Sequence, residues 1–234
     1  MKNKKIELFI ELKEWLCWRW PMIVARYLSF VFYALLMFYF YLGLYVFAQD
    51  VRNRFHQAFF AVTMALCTWS LSFALMAHAG TLRGATIFQF TSGLGWGFVY
   101  SFLLAFTILL TGYHKKMTKG KWLLVYVPIL ITLGTYGYSY FTGALEEQIY
   151  YGPYGWTLRF QWSLWTLWMR IFYVSVLGVI VVLLHQWTPG KEVFIKGRYK
   201  KLLTVSLLGT MLLGLPKILG LLNLVERVPF GLGP

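Results

Sequence analysis

Residues 89–116 read QFTSGLGWGFVYSFLLAFTILLTGYHKK, an apolar run that opens on alternating glycines around Trp96 and stops at Lys115 and Lys116. Three structures compete for it: a phosphate-binding turn, a buried core helix, and one span of a membrane protein. Gly93, Gly95 and Gly97 give GxGxG. That pattern lacks the GxGxxG spacing of a dinucleotide turn, follows no strand, and opens a segment too long and apolar for a soluble crossover helix. The glycines are instead expected to let neighbouring helices approach closely.

The rest of the chain favours the membrane reading. Of 234 residues 59% are hydrophobic, 20% aromatic and 13% charged, with a mean hydropathy of +0.61; an ordinary soluble domain is about a quarter charged. The formal charge of +14 would suit a nucleic-acid binder, but the basic residues stand in short runs between long apolar segments. They read as topology signals, so no nucleic-acid partner is expected and the bilayer is. Cys17 and Cys67 lie far apart with no metal-ligand or CxxC spacing. Neither a disulfide framework nor a metal site follows.

A hydrocarbon core about 30 Å thick needs roughly 20 apolar residues in helical form. Six segments meet that length: 27–48, 57–79, 91–112, 122–142, 161–185 and 202–222. The expected fold is an all-α, polytopic membrane bundle, with one domain over 27–234 behind a basic leader, 1–26. Within the leader, IELFIELKEWLCWRW is too charged to span. Its glutamates fall on one side and Leu8, Leu12, Trp15 and Leu16 on another, which predicts an interfacial amphipathic helix over 6–20.

Lysine and arginine gather on the cytoplasmic side of short loops. Arg52 and Arg54 follow the first span, Lys115, Lys116, Lys119 and Lys121 the third, and Lys191, Lys196, Arg198, Lys200 and Lys201 the fifth. The alternate loops hold Arg83, and Arg159 beside Glu146 and Glu147. These loops are expected outside, together with the N-terminus, against the preference of the basic leader itself.

Candidate binding residues follow from polar groups in apolar surroundings. Arginine inside a span faces the bundle interior, a partner or a watery cavity, or snorkels to the interface. Arg170 lies in the outer half of the fifth span. With Gln161, Arg159, Trp165, Trp156 of the GPYGW loop, and Trp96 and Tyr100 of the third span, it outlines an expected outward-facing site for an anionic or aromatic ligand. Lys217 follows Pro216 in the sixth span, where a proline kink frees carbonyls. No predicted span contains Asp or Glu, which argues against a retinal-type Schiff base with its counter-ion and against carboxylate proton relays. His78 and His185 fall at opposite span ends and His56 and His114 beside loops, so no metal, cofactor or catalytic constellation is expected, and the chain reads as a non-enzyme.

Several short motifs then carry a resemblance. Asn53, Phe59 and Phe60 open the second span, with Trp69 further on. GLGWGFVYSFLLAFTILLTG forms the third, Tyr126 and Pro128 lead the fourth, and YGPYGW, RYKK and VPFGLGP follow. Together they resemble the N-terminal seven-helix membrane sensor region of bacterial histidine kinases and diguanylate cyclases. Two departures from that family are the missing seventh helix with its output domain, and the long basic leader. The resemblance implies a multi-pass sensor in the bacterial inner (cytoplasmic) membrane. Such a sensor works as a homodimer and relays an external or membrane signal, from a small-molecule or lipid ligand, to a cytoplasmic effector of a two-component or cyclase system. The alternative is a small permease or a membrane subunit of a partner complex, for which inverted repeats and broken helices would be the signature.

Overall fold

The structure, a computed structural model, describes residues 27, 29–152, 155–158 and 164–186, with the backbone alone over 164–170. The leader with its expected helix 6–20, Arg159, Gln161 and the expected span 202–222 lie outside the described residues. Helix α1 is Ser29–Gln49 and α2 is Arg54–Ala77. Asn53 caps α2, its Oδ1 accepting from Phe55 N at 2.9 Å, and Asp50 Oδ1 accepts from Arg52 N at 3.1 Å. These side chains stand in for backbone acceptors that a helix start and a tight turn lack.

Helix α3 is Leu82–Leu110 and begins nine residues before the expected third span. Thr81 is its cap, with Oγ1 accepting from Gly84 N at 3.1 Å. The apolar signal over this first part is diluted by Arg83 and Gln89, which hid the start from a hydropathy reading. Arg83 therefore stands on the first turn of a helix, not in a loop. At 1.5 Å per residue α3 runs about 43 Å, longer than the hydrocarbon core requires.

Gly112 ends α3 in the left-handed region (φ 72°), where a residue with a Cβ is strained. A 3₁₀ turn, Tyr113–Lys116, leads to α4, Lys119–Val125, and α5, Val127–Phe141. The expected fourth span is thus two helices, bent by 40° at Tyr126. Pro128 is the cause: it has no N–H to continue the ladder of α4, while its fixed φ suits the first turn of α5.

Gly143 (φ 77°) turns the chain into a short helix, α6 (Ala144–Gln148), followed by strands β1 (Ile149–Gly152) and β2 (Gly155–Leu158). The strands pair antiparallel, Ile149 opposite Leu158 and Gly152 opposite Gly155. Of the expected GPYGW loop, Gly152 ends β1 and Gly155 and Trp156 open β2. Helix α7, Leu164–Gln186, completes the described chain. The described residues are 86% helical, which keeps the fold class all-α in spite of the hairpin.

Among the described residues α1, α2 and α3 are long and apolar enough to cross a membrane, and α4 with α5 makes a fourth if the bent pair is one span. Ile171–Gln186 of α7 is a shorter apolar stretch. The protein is accordingly membrane-associated; the sixfold crossing expected from the sequence is not what these helices establish.

Helix α3 is the hub, touching α2, α5, α6, α7 and β1. Helix α1 lies at the periphery and meets α2 through the ring stacks Phe32–Phe73 (5.3 Å) and Phe47–Phe60 (4.7 Å). Two ends follow from this packing. The hairpin caps the α2–α3 turn, with Met76, Ala85, Leu145 and Ile149 buried together. At the opposite end Phe55 and Phe59 of α2 meet Phe106 of α3, near Arg52, Arg54, Lys115, Lys116, Lys119 and Lys121.

Seven of the hydroxyls in these apolar helices are satisfied locally. Thr68, Ser72, Thr86, Thr107, Thr132, Thr135 and Ser175 each donate to the carbonyl four residues back, at 2.7–3.0 Å. A hydroxyl bonded to its own helix carries little desolvation penalty into an apolar environment.

Candidate functional site: the junction of α3, α5 and α7

The glycine run of α3 serves two neighbours. At 100° per residue, positions 93 and 97 lie 40° apart and position 95 lies on the opposite side. A Cβ on Gly95 would come within 2.7 Å of Trp69 N and 3.0 Å of Ala65 O, both backbone atoms of α2. A Cβ on Gly93 would enter the Tyr136 ring and one on Gly97 the Thr132 side chain, both on α5. None of the three has positive φ. They are contact points between helices, as the spacing led us to expect.

Thr132, admitted to α3 by Gly97, is fully buried. Its Oγ1 lies 2.7 Å from Pro128 O and 2.6 Å from Tyr173 OH of α7. Since Thr132 has a single hydrogen to give, donation to Pro128 O leaves the Tyr173 hydroxyl as the donor across the helix pair. The Tyr173 ring stacks on Tyr100 of α3 at 4.4 Å and 28°. Below this junction Val176, Ile180 and Leu184 continue the same face of α7 at helical spacing, against Leu103, Leu104 and Leu110.

Tyr100 and Tyr173 also end a row of rings. Trp96 meets Tyr100 edge-on at 5.4 Å, Trp69 of α2 lies 5.5 Å from Trp96, and Phe32 of α1 lies 5.7 Å from Trp69. The row crosses the bundle from α1 to α7. The indole N–H of Trp96 is buried and, among the described residues, has only the Tyr100 side chain set edge-on beside it. Ser70 Oγ and Ser101 Oγ are likewise buried without a partner among the described residues.

Of the residues expected to form one outward-facing site, the described Trp156 stands apart from Trp96 and Tyr100. Trp96 and Tyr100 are not at the hairpin end of α3: Trp96 is fourteen residues from its start, about 21 Å along the axis, and Tyr100 is 6% exposed in the core. Trp156 is at the hairpin end, where its Nε1 donates to Ala79 O at 2.7 Å and its ring meets Tyr151 edge-on at 5.1 Å. That bond pins β2 to the α2–α3 turn. Arg170 and Trp165 stand on α7, Arg170 one turn before Tyr173. Arg159 and Gln161 lie outside the described residues.

Thr132 and Tyr173, which make the junction, were missed in the sequence. The signal was present as a hydroxyl four residues after Pro128 and a tyrosine three after Arg170, but nothing local pairs residues 41 positions apart. At the hairpin end, His78 Nδ1 lies 3.0 Å from Ala74 O and 3.1 Å from Ser29 Oγ. Contact with a carbonyl oxygen requires a hydrogen on Nδ1, so this ring clamps the start of α1 to the end of α2 and is not free to ligate through that atom. Among the described residues no three His, Cys, Asp or Glu side chains gather as a metal site would need.

The junction holds α7 to α3 and α5 by modest forces: a ring stack contributes about 0.5–1.5 kcal/mol beyond area burial, and a hydrogen bond between apolar helices about 0.6 kcal/mol on average. Energies of this size lie within reach of ligand binding or membrane forces. In comparisons with known proteins no family model matches the chain, and no curated protein or solved structure matches it.

Proposed function

We propose that the protein is a multi-pass sensory module of the bacterial cytoplasmic membrane, which receives a small-molecule or lipid signal at its hairpin end or within the bilayer. It passes the signal, by repacking of helices, to a cytoplasmic effector, and works as a homodimer. The basic end is then cytoplasmic. Arg159, Gln161, Trp165, Arg170 and Trp156 are the receptive residues, with Trp96 and Tyr100 acting behind them through the ring row.

The observation that supports this reading is the unequal attachment of α3. Its α2 face is locked by backbone contact at Gly95, whereas α7 is held at the Tyr100–Tyr173–Thr132 junction, one turn below Arg170. A ligand drawing on Arg170 would act directly on that junction, and a signalling helix needs two packings separated by little free energy.

The test is deletion of the gene in its host, followed by measurement of response-regulator phosphorylation and cyclic-dinucleotide level, with the wild type or Tyr173→Phe restored. The expected result is a changed output on deletion, recovery with the wild type, and altered output with Tyr173→Phe at normal membrane abundance. Unchanged output in every strain sinks the sensor reading. The bend at Tyr126 favours the second reading, a permease or partner-complex subunit, because broken helices line transport pathways; that reading predicts a nutrient-dependent growth defect with both signalling readouts unaltered.

A further inference from the structure

The elbow between α3 and α5 has a composition that the sensor reading leaves unused. Lys115, Lys116, Lys119 and Lys121 are all exposed, and none of them pairs with a carboxylate among the described residues. Of the described acidic residues, Glu146 and Glu147 belong to α6 at the hairpin end. Asp50 belongs to the α1–α2 turn, where its carboxylate accepts from Arg52 N.

The same elbow is apolar on another side. Val125 (2% exposed) and Trp122 dock on Ala105 and Ile108 of α3, with Met117 and Leu183 around them. This docking turns Leu123 and Leu124 outward, 65% and 66% exposed, with Tyr126 at 42% and Tyr113 at 37%. Two bare leucines within one turn of two lysines, on a helix that breaks and enters α5, fix the depth of the element. The leucines belong in hydrocarbon, and the lysine stems reach back to the plane of the phosphates.

From this juxtaposition we infer that the Lys115–Lys121 elbow is a binding surface for anionic phospholipid headgroups of the leaflet at the basic end. The inference rests on the membrane-embedded part of the proposed function and not on its sensory part. Charge complementarity selects the occupant: four ammonium groups with no carboxylate partner among the described residues, beside exposed leucines, suit an anionic bilayer surface, which supplies phosphate and acyl chain together. An acidic soluble partner would leave Leu123 and Leu124 uncovered. Lysines at a membrane surface act nearly independently, each contributing about fivefold in affinity.

The experiment uses the full chain reconstituted in phosphatidylcholine vesicles with trace spin-labelled phosphatidylglycerol or spin-labelled phosphatidylcholine, and reads the motionally restricted fraction of each label. The wild type is expected to restrict phosphatidylglycerol at least several-fold more strongly, with the preference falling away in about 0.5 M salt. Replacing all four residues as K115Q, K116Q, K119Q and K121Q should bring the two lipids close to equality, and the four Lys→Arg replacements should keep the preference. Equal restriction by the wild type overturns the inference alone, while restriction of neither lipid overturns the membrane reading with it. An undiminished preference in the glutamine variant, or its loss in the arginine variant, also overturns it. So does release of a co-purifying acidic protein by the glutamine variant with lipid preference intact, which would assign the elbow to that protein.

Discussion

Helix α3 meets α2 on one side and α7 on another, and the two contacts are built differently. Against α2 a glycine lets main chains touch, with Trp69 N and Ala65 O where a Cβ at position 95 would go. Against α7 the contact is made by side chains: two stacked tyrosines and an apolar seam, with α7 held in turn to α5 by the Thr132–Tyr173 hydroxyl pair. Main-chain contact leaves no slack, because neither partner can change rotamer to relieve a clash. A side-chain seam can repack, since ring and methyl groups have alternative rotamers at small cost. The pair α2–α3 is therefore the frame of the molecule, and α7 the element that can shift against it.

The sharpest way to break this distinction is Gly95→Val. Two branched methyls against the α2 backbone should lower stability by more than about 3 kcal/mol, read as loss of monodisperse protein after extraction and a large fall in thermal midpoint. A wild-type midpoint in this variant would mean that α2 and α3 are not in main-chain contact. The α7 seam should respond more mildly. Tyr173→Phe and Thr132→Val are each expected to lower stability by about 1 kcal/mol, and the double variant by less than the sum. The coupling energy of that cycle, about 0.6–1.7 kcal/mol, measures the hydrogen bond; strict additivity would show that the two hydroxyls do not interact. The smallest effect belongs at the periphery. Tyr41 of α1 is 71% exposed, and Tyr41→Leu should change stability by less than about 0.5 kcal/mol. A larger loss would indicate that this face of α1 is covered by a protein partner, such as a second copy.

How much of this was legible in the sequence varied with the range of the interaction that decides it. The long apolar helices α1, α2 and α3 could be read directly, because one span is long enough to declare itself. The start of α3 could not, since Arg83 and Gln89 lower local hydropathy while Thr81 supplies the cap that begins the helix regardless. The break at Tyr126 had its signal in Pro128, yet residues 122–142 reach the length of one span and so read as continuous. The hairpin had turn residues at Gly152 and Gly155, but strands of four residues fall below any periodicity. The expected place of Trp96 and Tyr100 near the end of α3 assumed that the helix begins where its apolar run does; the longer helix carries them to mid-helix, while Trp156 stands at the hairpin end.

The sequence by itself determined the helical, membrane-associated class and the alternation of basic and apolar segments, both of which depend on composition along short windows. It also determined that the glycines of residues 93–97 serve close packing and not phosphate binding, because spacing alone excludes the turn. Which neighbour each glycine receives was decided only in the tertiary structure, as was the pairing of Thr132 with Tyr173 and the pin from Trp156 to Ala79. Those contacts join residues 41 and 77 positions apart. Their partners are chosen by how helices cross and which faces remain, quantities that no local window of residues contains.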